Sequence, residues 1–169
     1  LKMPVTPPEA NRLERTIEAE LSATGALTAK ISEHSFGQAA VDERRAFKRI
    51  ARPQYNKFIE SWITATAPSA NVLKAEPTDD AYGGQFALDV EFKSAAYAQN
   101  MRDKLLIFKP AIVSRRSSVF LTSKERKHPV VLEAKAYTEI VKIKLPAGFE
   151  VDEIPDGAEL NQPFGNYAV

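Results

Sequence analysis

Alternating hydrophobic and polar residues near the start of the chain predict two β-strands. Residues 13–21, LERTIEAEL, alternate so that one side carries Leu13, Ile17, Ala19 and Leu21. A period of two is that of a half-buried strand with one wet face. The turn formers Ala23-Thr24-Gly25 follow, and residues 26–36 resume the strand pattern. We therefore expect a hairpin.

The pattern changes to that of helices from about Gly37. Residues 38–50 are rich in helix formers, with Ala40, Phe47 and Ile50 on one face. In residues 54–66 the apolar positions follow the spacing of a buried helix face, and these are Tyr55, Phe58, Ile59, Trp62, Ile63 and Thr66. Two consecutive helices are predicted, each with a stripe that faces a core.

Strand patterns return after Pro68. Residues 71–77 and 85–92 flank the turn-rich stretch TDDAYGG and predict a second hairpin. Residues 137–145 alternate, and Pro146-Ala147-Gly148 should end that strand. Shorter strand candidates are 104–110, 117–123, 130–137 and 149–154.

These elements predict a mainly β fold with about seven or eight strands. The Pro-rich residues 1–12 read as a linker, and residues 13–169 as a single β-rich domain, long enough to enclose a core. The first arrangement is an antiparallel β-sandwich-like domain whose two helices pack on one sheet face or plug one end. The alternative is an α+β open antiparallel sheet with the helix pair on one face.

Composition narrows the classes of partner. The chain has 23 basic and 22 acidic residues, a formal net charge of +1, so no nucleic-acid partner is expected. No apolar run approaches the roughly 20 residues of a membrane span. With no cysteine, the sequence excludes disulfides, thiolate metal sites and a cysteine nucleophile.

Few residues are candidates for chemistry. The histidines, His34 and His128, accompany no recognisable nucleophile motif and are interpreted as surface residues. Three acidic residues lie close together in sequence after Pro146-Ala147-Gly148, namely Asp152, Glu153 and Asp156. Their spacing does not match that of a calcium-binding loop. We expect no catalytic residue, no metal site and no cofactor, and hence a domain that is not an enzyme.

Basic and aromatic side chains are the candidates for binding. The pair Arg115-Arg116, with residues 124–128, could line a cationic rim for an acidic partner or a surface glycan, although interleaved acids also suit a solvated face. The pair Arg44-Arg45 suits the solvated face of the first helix.

Four stretches resemble known bacterial multidomain proteins that carry a transglutaminase-like core. ATGALTAKISEHSFGQAAVDERR, residues 23–45, resembles the strand, turn, strand and helix that follow this core. SKERKHPVVL, then TEIVKIKLPAGFEVDEIP and PFGNYAV, resemble the end of the same proteins. The resemblance covers roughly residues 10–50 and 118–169.

The resemblance implies a domain of unknown function that follows a papain-like transglutaminase core. The parent would be extracytoplasmic, either periplasmic or on the cell surface, and the core would be the neighbouring partner. The function expected is an accessory domain that positions the core or recruits a protein or glycan. An independent ligand-binding module, with a pocket between sheet and helices, stays open. The candidate binding residues are Arg44, Arg45, Arg115, Arg116, Arg126 and Tyr167.

Overall fold

The computed structural model describes residues 6–102, 104–116, 129 and 132–169. It is mainly β, with 43% strand against 19% helix, which confirms the predicted class. A 3₁₀ turn at Pro8–Asn11, inside the predicted linker, precedes the first strand. The elements are β1 (Arg12–Leu21), β2 (Leu27–Phe36), α1 (Gln38–Lys48), α2 (Arg52–Thr64), β3 (Ala70–Asp80), β4 (Gln85–Ser94), β5 (Gln99–Met101), β6 (Leu105–Ile107), β7 (Ala136–Lys144), β8 (Glu159–Gln162) and β9 (Gly165–Ala168).

The largest sheet has five strands in the order β3-β4-β2-β1-β7. Both predicted hairpins, β1–β2 and β3–β4, are confirmed, and β2 pairs antiparallel with β4. Among the strands that the structure describes, only β7 runs parallel to its neighbour, β1. Two further sheets, β5–β6 and β8–β9, have two strands each.

Both helices pack on one face of this sheet. In α2 the side chains of Tyr55, Ile59, Trp62 and Ile63 are buried in the same cluster as the inward residues of β1, β2 and β4. From α1, Phe47 lies 5.0 Å from the Tyr55 ring and 6.0 Å from the Phe86 ring, centroid to centroid. Of the two predicted arrangements, the described residues therefore have the open sheet with a helix pair on one face.

Some sequence-based expectations were wrong in detail. Phe58 and Ile50, assigned to the apolar stripes of the helices, are exposed. Residues 149–154 form no strand, whereas the unpredicted hairpin β8–β9 follows them. The strand candidate at 117–123 lies outside the described residues.

Candidate functional site

The two edges of the five-stranded sheet differ. At one edge, β3 is blunted by a register shift between Val72 and Lys74 and by Pro77, which has no N–H to donate. Arg52 of α2 donates to the carbonyl oxygen of Ala75 at 2.6 Å. Bulges, prolines and covering helices are the usual means of keeping an edge from pairing. The β3 edge is therefore protected.

At the other edge, β7 is long and regular. Its nine residues, AYTEIVKIK, contain no proline or glycine and include Ile140, Val141 and Ile143, which favour strands. Its register with β1 runs without a bulge from Arg12↔Ala136 to Glu20↔Lys144. We use "β7 edge" for the side of β7 that faces away from β1. Within the described ranges, no strand pairs with the β7 edge.

The core layer is also incomplete beneath β7. Val141 and Ile143 point to the same face as their β1 partners, Ile17 and Ala19. Those β1 residues are buried, whereas Val141 and Ile143 are only half-buried. A strand added at the β7 edge would bring apolar side chains beside them. Each Å² of apolar surface removed from water would contribute about 25 cal/mol of favourable free energy.

A buried arginine fixes the position of β7. In the cross-strand register Arg15 of β1 lies directly between Glu33 of β2 and Glu139 of β7. Its Nε donates to Glu33 Oε1 at 2.6 Å, and its Nη1 donates to Glu139 Oε2 at 2.7 Å. The side chains of Arg15 and Glu33 are each only 1% exposed. Charge-assisted hydrogen bonds of this kind are about twice as strong as neutral ones.

A second arginine joins the chain segment after β6 to these buried charges. Arg116 pairs with Glu33 and, at 3.2 Å, with Glu43 of α1. Next to it, Trp62 Nε1 donates to the carbonyl oxygen of Ser114 at 2.8 Å. We call the five charged residues Arg15, Glu33, Glu43, Arg116 and Glu139 the buried ion cluster. It joins three strands, helix α1 and the chain segment before residue 117.

Burial shifts the titration of groups in and around the buried ion cluster. The pKa of Glu43 is raised because burial disfavours its carboxylate, against the opposing attraction of Arg116. For Arg116, burial acts to lower the pKa, but the carboxylates of Glu33 and Glu43 hold it above its usual value. The pKa of Tyr137 is raised by burial and by the hydrogen bond that its hydroxyl donates to Glu139 at 2.7 Å.

The arginines predicted from the sequence fall into different environments. Arg44 joins α1 to β3 and β4, with Nε donating to Asp79 Oδ1 at 2.5 Å and Nη2 donating to the Gln85 carbonyl oxygen at 3.0 Å. Its neighbour Arg45 is exposed. Arg44 therefore has a structural ion pair, and Arg45 is free of the sheet.

The remaining predicted residues are equally scattered. Arg116 belongs to the buried ion cluster, and the guanidinium of the exposed Arg115 lies 4.7 Å from the centroid of the Tyr137 ring. Arg126 lies outside the described residues. Tyr167 is exposed in β9, directly opposite Leu160 of β8. Of the predicted cationic rim, only Arg115 and Arg116 are described, and residues 124–128 lie outside the part of the chain that the structure describes.

The hairpin that contains Tyr167 has one apolar face. Leu160 and Tyr167 are cross-strand partners, and Ala158 and Val169 extend the ladder with two 2.9 Å hydrogen bonds. Every residue of β8 and β9 is exposed. An isolated two-stranded hairpin is at best marginally stable in water, so this face is a second candidate for contact with another polypeptide.

The described candidates for chemistry lie at exposed positions of different segments. His34 is exposed on β2 with its Nε2 3.5 Å from Ser32 Oγ, while His128 lies outside the described residues. Asp152, Glu153 and Asp156 are exposed in a segment without regular structure. Among the described residues, no group of three or more His, Cys, Asp or Glu side chains could hold a metal ion. Neither described helix has the length and apolarity needed to cross a membrane.

Sequence reasoning missed Arg15, Glu33 and Glu139. All three occupy positions in phase with the apolar residues of their strands, as Arg15 does between Leu13 and Ile17. Charges of opposite sign at inward positions of three strands were the signal that could have revealed the cluster, because buried charges are rarely left unpaired.

The C-terminal part of the chain matches a known family model. Residues 103–169 match DUF3858, described as a domain of unknown function with a solved structure. The match confirms a domain of unknown function over these residues. It covers less than half of the chain and includes β6, β7 and the β8–β9 hairpin, so the β7 edge lies within it. No curated protein and no solved structure matches the chain.

Proposed function

We propose that the chain is a non-catalytic interaction domain of a larger, bacterial, transglutaminase-like protein that acts outside the cytoplasm. It positions the neighbouring enzyme core by docking a polypeptide strand at the β7 edge. The resemblance to proteins with such a core supports this parent, and the DUF3858 match supports a domain of unknown function over residues 103–169.

The observation that carries the proposal is the contrast between the two sheet edges. The β3 edge is blunted by a bulge, Pro77 and Arg52, whereas β7 is a regular strand of nine residues with a half-covered core face. Strand addition uses such an edge, because main-chain hydrogen bonds supply affinity and alternate side chains supply specificity.

A ligand pocket between sheet and helices receives less support. One open concavity, of about 660 Å³, lies at the start of α1 and is lined by Asn11, Gln38 and Arg44 among others. Another, of about 710 Å³, lies on the outer face of the sheet. Neither lies between the sheet and the helices, where Tyr55, Ile59 and Ile63 fill the space. We therefore favour the docking function.

Proline substitution in β7 tests this function. Adjacent residues of a strand direct their N–H groups to opposite sides, so of Ile140→Pro and Val141→Pro one removes a bond to β1 and the other removes an N–H at the β7 edge. The variant that loses the bond to β1 should have a much lower Tm. The variant that loses the N–H at the β7 edge should keep a Tm near that of the parent chain but bind the separately expressed core more weakly, as measured by analytical ultracentrifugation.

Enzyme activity gives the second readout. If docking positions the core, the full-length protein that carries the proline substitution with the higher Tm should show the activity and substrate range of the core alone. Unchanged association and activity in that variant would contradict the proposed function. Leu73→Ala, at the exposed bulge of the β3 edge, is the matched control and should leave both unchanged.

A further inference from the structure

The outer face of the sheet carries a row of charges that crosses all five strands. In the cross-strand register the row is Lys142, Glu18, Lys30, Glu91 and Lys74, from β7 to β3. The sign of the charge alternates at every strand. Opposite charges on neighbouring strands stabilise a pairing and like charges destabilise it, so the row favours this strand order.

The row ends with a lysine at the β7 edge. Lys142 is 68% exposed and its Nζ lies 4.0 Å from Glu18 Oε1. Two residues further along, Lys144 is 75% exposed and pairs with Glu20 at 2.8 Å. Both lysines therefore present positive charge on the outer side of β7, with the β7 edge beside them.

On the opposite side of the same strand, the residues next to these lysines are apolar. Val141 and Ile143, the neighbours of these lysines in sequence, face the helix layer and are half-buried. A strand that continued the sheet would thus meet positive charge on one side and apolar surface on the other.

We propose that the β7 edge accepts an extended segment in which acidic and apolar residues alternate. This inference rests on the proposed docking function and adds the chemistry of the partner. Two acidic side chains, two residues apart, lie beside Lys142 and Lys144 and continue the alternation of charge. The apolar side chains between them cover Val141 and Ile143.

A second copy of this chain fits the β7 edge poorly in the register that brings the two lysines of each copy together. If two β7 strands pair antiparallel in one continuous sheet, the lysines of both copies lie on the same outer face. Pairing about Ile143 places Lys142 opposite Lys144 of the other copy, and like charges directly opposite one another are destabilising. In this register the lysines therefore favour an acidic partner over self-association.

Two labelled peptides of nine residues, the length of β7, test the inference by fluorescence anisotropy. One alternates valine with glutamate and the other alternates valine with lysine. We expect the acidic peptide to bind about tenfold more tightly at low salt, from two favourable cross-strand pairs in place of two unfavourable ones. The ratio should shrink as salt is added, because both lysines are exposed.

Charge variants identify the residues responsible. Lys142→Glu combined with Lys144→Glu should reverse the preference, and Lys142→Gln combined with Lys144→Gln should abolish it without placing new acids beside β1. Lys74→Glu, the matched control at the β3 edge, should leave the preference unchanged.

The outcomes separate the two proposals. Equal binding of both peptides, with binding lost in the better-folded proline variant of β7, would overturn the charge inference and leave strand docking intact. No binding of either peptide would count against both. A concentration-dependent dimer that the acidic peptide does not displace would identify a second copy as the occupant and would overturn the inference.

Discussion

Replacement of Arg15 by leucine should destabilise the fold strongly. Removal of one partner from a buried pair typically costs about 3–5 kcal/mol, because the remaining charge stays buried without compensation. After the change, Glu33 would still pair with Arg116, and Glu139 would still accept the Tyr137 hydroxyl. We therefore expect the lower end of the range, about 3 kcal/mol. That is a large part of the 5–15 kcal/mol that stabilises most domains.

Urea denaturation followed by circular dichroism measures this loss. With an m-value of about 2 kcal/mol per molar urea, the midpoint should fall by about 1.5 M. Arg12→Leu is the control in the same strand, because the Arg12 and Glu14 side chains are 39% and 49% exposed. An exposed pair of this kind contributes about 1 kcal/mol or less.

An equal, small loss of midpoint in Arg15→Leu and Arg12→Leu would contradict this prediction. A stabilised Arg15→Leu variant would contradict it more strongly. Either result would mean that the buried ion cluster does not hold β7 against β1.

Two further predictions concern Glu43 and the turns. Because the folded-state pKa of Glu43 is raised, its carboxylate opposes folding near neutral pH, and this effect fades as the pH falls through the folded-state pKa and is gone below the unfolded-state pKa. Glu43→Gln should therefore match or exceed the parent Tm at pH 7, with the difference closing towards pH 4; a clear loss at pH 7 would contradict this. Gly25→Ala should lower the midpoint of urea denaturation more than Gly148→Ala does. Both glycines have positive φ (88° and 84°), but only at Gly25 would a Cβ collide with the carbonyl oxygen of Ala98. Equal losses of midpoint would contradict this prediction.

The hairpins and helices could be predicted because their signals are local. Alternation in residues 13–36, with Gly25 between the runs, is enough to specify β1 and β2 and their antiparallel pairing. The helical stripe likewise located Tyr55, Ile59 and Trp62, although Phe58 lies on its exposed margin. Short-range periodicity thus accounts for most of the helix-and-sheet core.

The placement of β7 could not be predicted in the same way. Its pairing with β1 joins Arg15 to Glu139 across 124 positions of sequence, and no local pattern encodes such a contact. The β8–β9 hairpin was missed because Glu159, Asn161 and Asn166 lie among its apolar residues. The candidate site depends on the position of β7 in the sheet, so only its individual residues, and not its geometry, could be read from the sequence.

Amide hydrogen exchange along β7 shows directly whether its outer edge is open. If β7 is held by β1 on one side and open on the other, protection should alternate from residue to residue between Ala136 and Lys144. Every second amide should exchange slowly, while the amides between them exchange rapidly in the free chain and slow down when the acidic peptide binds. Uniform protection of all β7 amides in the free chain would contradict the account.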